Sequence, residues 1–421
     1  MKKYYIYTFG CQMNHSDSEK IKTVLENNDY KAVKEPKKAD LIIVNMCSVR
    51  QSAVDRIYGL ANKFAKWKKE NNIKTILTGC ILKPDLKKFE KRFDLVFNIK
   101  NLPELPKLIF KKAIKTNRDP LNYLKIKPKR DSSVTSFIPI MSGCNNFCSY
   151  CVVPYTRGRE FSRPGNQILK EIKKAIENNS KEIILLGQNV NSYKDKEINF
   201  PKLLKKITNL NNDFWLNFIS SHPKDFSDEL IKVMIQSNKI TNYLHLAVQS
   251  GDNNTLKAMN RNYTVEAYKN IIKKIKKGIP NISLSTDIIV GFPGETKAQF
   301  KNTVKLFKWA KFDMAYIAKY SPRKITAAAK LKDNIPLKEK KKREKILTKI
   351  LKKTALENNK KLLNKKIRVL VTLKNKNKFF GKTKNNKKIQ IAGKTKNLKV
   401  GQFINCKVLK VTPWHLRGKL I

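Results

Sequence analysis

Short apolar runs, each ending in a cysteine, a glycine or a polar residue and separated by stretches of helical periodicity, recur over the first three quarters of this chain. No other feature limits its fold as strongly. Between Met1 and Asp119 the runs are YYIYTFGC, ADLIIVNMC, KTILTGC and FDLVFN. Asp17 to Asn27 and Ser52 to Glu70 carry apolar residues at helical spacing between them, which makes a βαβ pattern and a parallel sheet. Ligands of such sheets sit beyond the carboxyl ends of the strands, and Cys11, Cys47 and Cys80 each stand at that end of a different predicted strand.

Asn117 to Ser136 is polar, with Pro120, Pro128 and a basic PKR, and reads as a linker. The alternation then resumes with six predicted strands: FIPIMSG, EIILLGQNV, FWLNFIS, YLHLAVQS, ISLSTDIIVG and MAYIAKYS. Helical stretches lie between them, such as Gly165 to Asn178, Thr264 to Lys277 and Thr296 to Lys311. That count predicts a partial (β/α)6 barrel of TIM type, with its active face at the carboxyl rim of the strands. Pro336 to Lys361 predicts a long basic helix bridging the barrel, with Ile346, Leu347, Ile350 and Leu351 as its apolar stripe. Beyond it the period changes to two, in IRVLVTL, KFFGKTK, KKIQIAG and GQFINCKVLKVTPWHLRGKLI, as expected of a small, basic, OB-like β-barrel. The expected class is α/β, with domains at 2–118 (parallel α/β sheet), 130–360 (partial barrel) and 361–421 (small β-barrel).

Ninety Lys+Arg against 33 Asp+Glu give a net charge of +57, which suits a nucleic-acid partner far better than an acidic protein or a neutral metabolite. Only 13 of the 90 are Arg, and Lys, Asn and Ile abound throughout as in an AT-rich coding sequence, so part of the excess is compositional drift. MKKYYIYTFG lacks the apolar core of a secretory signal, and the longest apolar runs, Leu41 to Val44 and Ile183 to Leu186, are far too short for a bilayer. A cytosolic protein without membrane contact is expected. In that reducing compartment seven cysteines point to ligands rather than disulfides.

GCNNFCSYC, Gly143 to Cys151, spaces Cys144, Cys148 and Cys151 as C-x3-C-x2-C on the loop leaving the first barrel strand. A closed zinc site needs four ligands, and no histidine lies near this loop. An iron–sulfur cube fits better, and three thiolates leave one of its irons open to a small chelating ligand. Cys11, Cys47 and Cys80 make a second set of three. Each alone reads most simply as a buried core cysteine, but three at equivalent strand ends favour a second open-iron cluster. Cys406, inside FINCKVLKV, reads as an ordinary barrel-core thiol.

The spacing C-x3-C-x-aromatic-C, with Tyr150 before Cys151, resembles that of the radical SAM enzymes. All three regions together resemble the methylthiotransferases of that superfamily, on CQMN and DSEK (Cys11–Asn14, Asp17–Lys20), CSVR (Cys47–Arg50), TGC (Thr78–Cys80) and VVPYTRGRE (Val152–Glu160). LLGQNVNSY (Leu185–Tyr193), SHP (Ser221–Pro223), VQSG (Val248–Gly251), DIIVGFPGET (Asp287–Thr296) and YSPR (Tyr320–Arg323) extend the likeness, and the C-terminal barrel resembles a TRAM domain, an RNA-binding module. The resemblance implies two [4Fe-4S] clusters. Cys144, Cys148 and Cys151 would hold the one that chelates S-adenosylmethionine (SAM) and cleaves it to a 5′-deoxyadenosyl radical. Cys11, Cys47 and Cys80 would hold the auxiliary one, which carries the sulfur. It further implies transfer of a methylthio group to C2 of N6-isopentenyladenosine at position 37 of tRNA, in the anticodon stem-loop, by a monomer fed by a reductant such as flavodoxin or ferredoxin.

By motif position, Tyr150 would lie near the SAM adenine. Asp287 to Glu295 would form a strand and turn against SAM, with Gly291 allowing close approach. Gln188, Asn189 and Asn191 have donors and acceptors for SAM or a base edge. Plain alternatives are a strand-to-helix turn at GFPGE and polar packing at GQNVNSY. Three departures from the family pattern, Met46, Ala247 and Lys324–Thr326, touch no predicted cluster ligand. Sister branches act on an aspartate of a ribosomal protein or on threonylcarbamoyladenosine of tRNA; CSVR and GQNVNSY suit the isopentenyladenosine branch. A non-catalytic RNA-binding iron–sulfur protein is the reading from a different class.

Overall fold

The computed structural model describes residues 1–49, 51–109, 122–393 and 395–421. Arg50 of CSVR, residue 118 as the end of the first domain, and the expected linker up to residue 121 lie outside them. The described end of that linker is not plain coil: a short helix, Asn122–Lys125, buries Tyr123 and Leu124.

The N-terminal region is a five-stranded, all-parallel sheet in the order Tyr30–Ala32, Lys2–Thr8, Leu41–Met46, Lys74–Gly79, Leu95–Val96. Strand Leu41–Met46 is buried along its whole length, as a central parallel strand covered by helices on both faces must be. FDLVFN yields only the two-residue edge strand, and Tyr30–Ala32 is an edge strand that no clear alternation announces. The first helix, Gln12–Glu26, begins five residues before its predicted start because Cys11 serves as its N-cap, and its polar residues Asn14, Ser16, Asp17 and Ser18 are buried rather than exposed.

Six parallel strands form the central body as two three-stranded sheets: Thr135–Pro139, Glu182–Leu186 and Trp215–Phe218, then Tyr243–His245, Ser283–Val290 and Met314–Lys319. Parallel bridges Leu216 to Ile240 and Ser221 to Leu246 join them into one arc, which is open between its first and last strands among the described residues. Helices Gly165–Glu177, Val265–Gly278 and Lys297–Ala310 match their predicted positions within two residues. The long helix, Leu337–Lys360, does not cross the barrel as expected. It packs along the last strand and helix Lys297–Ala310, burying Leu347 and Leu351 in the main core and leaving Ile346 half exposed.

The C-terminal region closes into a five-stranded barrel, Lys366–Asn375, Lys378–Thr383, Lys388–Ala392, His415–Leu420 and Phe403–Val411, around Val369, Val371, Phe379, Ile389 and Cys406. Its contacts with the central body lie at the amino ends of the six strands. Lys382 pairs with Glu182 at 2.9 Å, Lys387 with Asp313, and the rings of Trp215 and Phe403 are 5.0 Å apart. The opposite, carboxyl rim is therefore free of this module. No helix among the described residues is long and apolar enough to cross a membrane.

Candidate active site

Two thiol triads stand at carboxyl ends of parallel strands. The first is a single loop. Gly143 turns the chain at φ +83°, where a Cβ would fall 2.0 Å from the Arg159 carbonyl, so only glycine allows the loop to fold back on itself. Its N–H donates to Gln188 Oε1 at 2.6 Å, and the Cys144 N–H donates to the Gly158 carbonyl. Asn260 Nδ2 donates to the carbonyls of Asn146 and Phe147, and the Ser149 N–H donates to the Met259 carbonyl, so the loop is pinned from the far side. Arg261, nearly buried, directs a terminal nitrogen at Cys148 Sγ, 3.5 Å away.

The second triad is assembled from three separate strand ends. Cys11 caps helix Gln12–Glu26, Cys47 follows Leu41–Met46, and Cys80 follows Gly79, whose φ of +103° brings a would-be Cβ to 2.3 Å from the Met46 carbonyl. Buried Asn14 ties the first two turns together: its Nδ2 donates to Asn45 Oδ1 (3.0 Å) and to the Met46 carbonyl (3.1 Å), and Asn45 Nδ2 returns a bond to the Asn14 carbonyl. At Cys80, the Nε of Arg157 donates to Sγ at 3.1 Å.

Burial and the proximity of the neighbouring thiols push the Cys47 thiol up to about 12, and likewise that of Cys151. Burial also raises Cys80 and Cys144. Metal-free, these are protonated sites; binding a cation there deprotonates them, the usual coupling of ligation to proton release. Each triad also has one buried guanidinium aimed at one sulfur, which offsets part of the negative charge of thiolates gathered out of water. Among the described residues no three His, Cys, Asp or Glu side chains are gathered tightly enough to hold a single metal ion. Thiolates that hold a cube bind separate irons and stand further apart. The donor set, three thiols and no histidine or carboxylate in either group, therefore fits an iron–sulfur cluster rather than a lone zinc.

A cavity of about 720 Å³ opens between the two regions, and Val49 and Gln51 beside Cys47 face Tyr150, Cys151, Asp287 and Arg323 across it. Of the predicted cofactor-binding residues, Tyr150 and Asp287 line this cavity. Burial raises the Tyr150 phenol well above its ordinary value, so it stays a neutral donor. Gln188 stands behind the cysteine loop as its acceptor. Asn189 donates to Asp225 at 2.7 Å, and Asn191 brackets the backbone of His222. Gly291 and Glu295 serve each other: the Gly291 N–H donates to the Glu295 carboxylate at 2.7 Å, the carboxylate pairs with Arg343, and what packs against Gly291 is the Lys340 side chain. Arg157, Arg261 and Arg323 were not singled out by sequence reasoning, although two of them lie inside quoted motifs.

Three segments match known families: residues 3–98 the uncharacterized protein family UPF0004, 138–307 the radical SAM superfamily, and 360–421 the TRAM domain. A tRNA-2-methylthio-N(6)-dimethylallyladenosine synthase of Buchnera aphidicola subsp. Baizongia pistaciae is 40% identical over 438 residues, 99% of this chain and 98% of that one. Proteins of the same name from Clostridium botulinum (strain Langeland) and Carboxydothermus hydrogenoformans are also 40% identical, over 100% of this chain and 97% and 99% of theirs. Among solved structures, the radical SAM methyltransferase TsrM of Kitasatospora setae is similar with a TM-score of 0.57 at 12% identity, over 78% of this chain and 77% of that one. The cobalamin-dependent radical SAM enzyme OxsB follows at 0.55 and 11%, over 86% and 56%; both likenesses concern the fold alone.

Proposed function

This chain belongs to the tRNA-2-methylthio-N6-dimethylallyladenosine synthases, radical SAM tRNA methylthiotransferases, and on that footing we propose how its two triads divide the work. Cys144, Cys148 and Cys151 hold the cluster that binds SAM, and Cys11, Cys47 and Cys80 hold an auxiliary [4Fe-4S] cluster. The base is residue 37 in the anticodon stem-loop of tRNA carrying the N6-isopentenyl group. The enzyme acts as a cytosolic monomer and draws electrons from flavodoxin or ferredoxin. The domains follow 2–118, 130–360 and 361–421. Full-length identity to synthases of this one activity favours this substrate over a ribosomal-protein aspartate or threonylcarbamoyladenosine.

The observation that carries the reading is the shared cavity, lined by Val49 and Gln51 from one triad's side and by Tyr150 and Cys151 from the other's. When bound, the first cluster with SAM supplies a radical able to take hydrogen from an unactivated aromatic C–H, and the second supplies sulfur. The chain's own residues place and shield that chemistry. Tyr150 packs with Met259, Phe292 and Tyr320 as an apolar wall, and Ile288 and Ile289 continue it, which keeps water from a reactive centre. Asp287, 3.5 Å from His245, offers a carboxylate to hydroxyl groups of a nucleoside. Gln188 and Asn260 hold the cysteine loop in shape. The small barrel, at the other end of the strands, would grip RNA away from the reacting base.

Mass spectrometry of tRNA nucleosides from a strain lacking this gene tests the reading. Loss of the 2-methylthio group with the isopentenyl group retained supports it. An unchanged nucleoside profile with an altered ribosomal protein contradicts it. RNA binding should also weaken steeply with salt, with a log–log slope of about −0.7 per phosphate contact on single strands.

A further inference from the structure

Two buried arginines tie the turns of Cys47 and Cys80, and the helix that Cys11 caps, to the central body. Arg157, 2% exposed, spends its nitrogens on three groups: Nε on Cys80 Sγ at 3.1 Å, one terminal nitrogen on Asp17 at 2.6 Å, and the other on the Tyr123 hydroxyl at 3.4 Å. Asp17 is fully buried in the helix that Cys11 caps, so this one side chain reaches the turn of Cys80 and the helix of Cys11 together. Arg323, 6% exposed, donates to the Ser48 carbonyl and to the Gln51 side chain, the two sides of the turn that leaves Cys47. The loop triad has no such dependence, since Gln188, Asn260 and Arg261 that hold it belong to its own domain.

A buried ion pair contributes little net stability against an apolar pair of the same size, because both charges must leave water. Its worth here lies in geometry. A guanidinium fork fixes three partners in one plane, which an ammonium on a flexible stem cannot do. Arginine is scarce in this chain, 13 of 90 basic residues, yet it occupies both positions.

We propose that Arg157 and Arg323 are positioning residues that clamp the N-terminal triad against the 144–151 loop, so that the two clusters face one cavity at a fixed separation. The inference rests on the two-cluster reading above. Without the clamp the N-terminal sheet keeps its fold and the packing of Met13 on Ile184 and Leu186, but the turns of Cys47 and Cys80 lose their fixed position against the barrel rim.

The test uses the full chain in two states. In the metal-free protein, hydrogen–deuterium exchange is followed in peptides 41–49 and 74–82 for R157K, R157Q/D17N and R323Q; the double change avoids stranding the Asp17 charge. In a C144A/C148A/C151A background, reconstituted without oxygen, the N-terminal cluster alone reports through its EPR spectrum and iron content. Exchange in 74–82 should accelerate about 10-fold or more in both Arg157 variants, and in 41–49 in R323Q, with iron retained and the EPR spectrum shifted. Wild-type exchange together with an unshifted spectrum would overturn the clamp. Should R157Q/D17N not fold, R157K decides, since it keeps the charge and loses only the fork. If the background protein binds no iron, the two-cluster reading fails, and the exchange measurement, which needs no metal, still decides the clamp.

Discussion

The loop triad and the N-terminal triad each gather three thiols, by opposite means. The first is local: eight residues, one glycine turn and a ring of hydrogen bonds from its own domain suffice. The second exists only once a parallel sheet has placed three distant strand ends side by side and two arginines have tied them to another domain. A local site tolerates disturbance elsewhere in the molecule; an assembled one fails wherever its scaffold does. The two triads should therefore break in different ways.

The largest effect separates the two chemically. C144A should abolish both SAM cleavage and methylthiolation, while C47A should lower methylthiolation by roughly 1,000-fold or more and leave SAM cleavage standing, with liquid chromatography of both products as the check. If C47A abolished SAM cleavage as well, the division of labour would be wrong. Next come the glycines. G143A and G79A each force a Cβ into a backbone carbonyl at positive φ and should cost about 3 kcal/mol or more in denaturant unfolding, whereas G294A, at φ +79° with nothing within 4 Å, should cost about 1 kcal/mol. Equal losses at the three would mean that the turns, rather than close approach, set the cost.

N14A removes the two side-chain bonds from Asn14 to the turn of Cys47 and leaves the buried Asn45 Oδ1 and Met46 carbonyl without that donor, while Asn45 Nδ2 keeps the Asn14 carbonyl and Ser18. It should destabilise by about 2–3 kcal/mol and lower the iron bound by the N-terminal triad without touching the loop cluster. On the loop side, burial and the charges of Arg261 and Lys224 pull the His222 imidazole down from 6.5 to about 2. The folded protein therefore keeps it neutral while the unfolded chain takes up a proton below about pH 6.5, so its contribution is full above that pH and is lost as pH falls. H222Q should flatten the acid limb of stability between pH 6 and 4 by up to about 1.4 kcal/mol per pH unit, seen as a shallower fall of Tm. An unchanged limb would remove His222 from the account.

The contrast also explains what the sequence made legible. C-x3-C-x2-C is a contiguous motif, and the six strands behind it carry apolar runs that only a buried parallel strand needs. Cys11, Cys47 and Cys80 were legible because a parallel sheet brings carboxyl ends to one edge, a rule that needs no side-chain detail. What fixes them there was not. Asp17 opens a stretch read for its helical spacing alone, yet it is buried because Arg157 of the central body reaches it, and Asn14, which precedes that stretch, is buried against Asn45 and Met46 of its own sheet. Arg157 and Arg323 received no role of their own, although both lie inside stretches that carry the family likeness and both are arginine in a chain whose basic residues are mostly lysine. Glu295 and Gly291 show the converse: positions that motif likeness turns toward SAM are engaged with Arg343 and Lys340 of the long helix, whose path the apolar stripe alone did not specify.

The most direct measurement is the iron and sulfide content of the oxygen-free, reconstituted chain beside C11A/C47A/C80A and C144A/C148A/C151A. Two cubes predict about eight irons in the unaltered protein and about four in each variant. About four irons in the unaltered protein, unchanged by removing the N-terminal cysteines, would contradict the account.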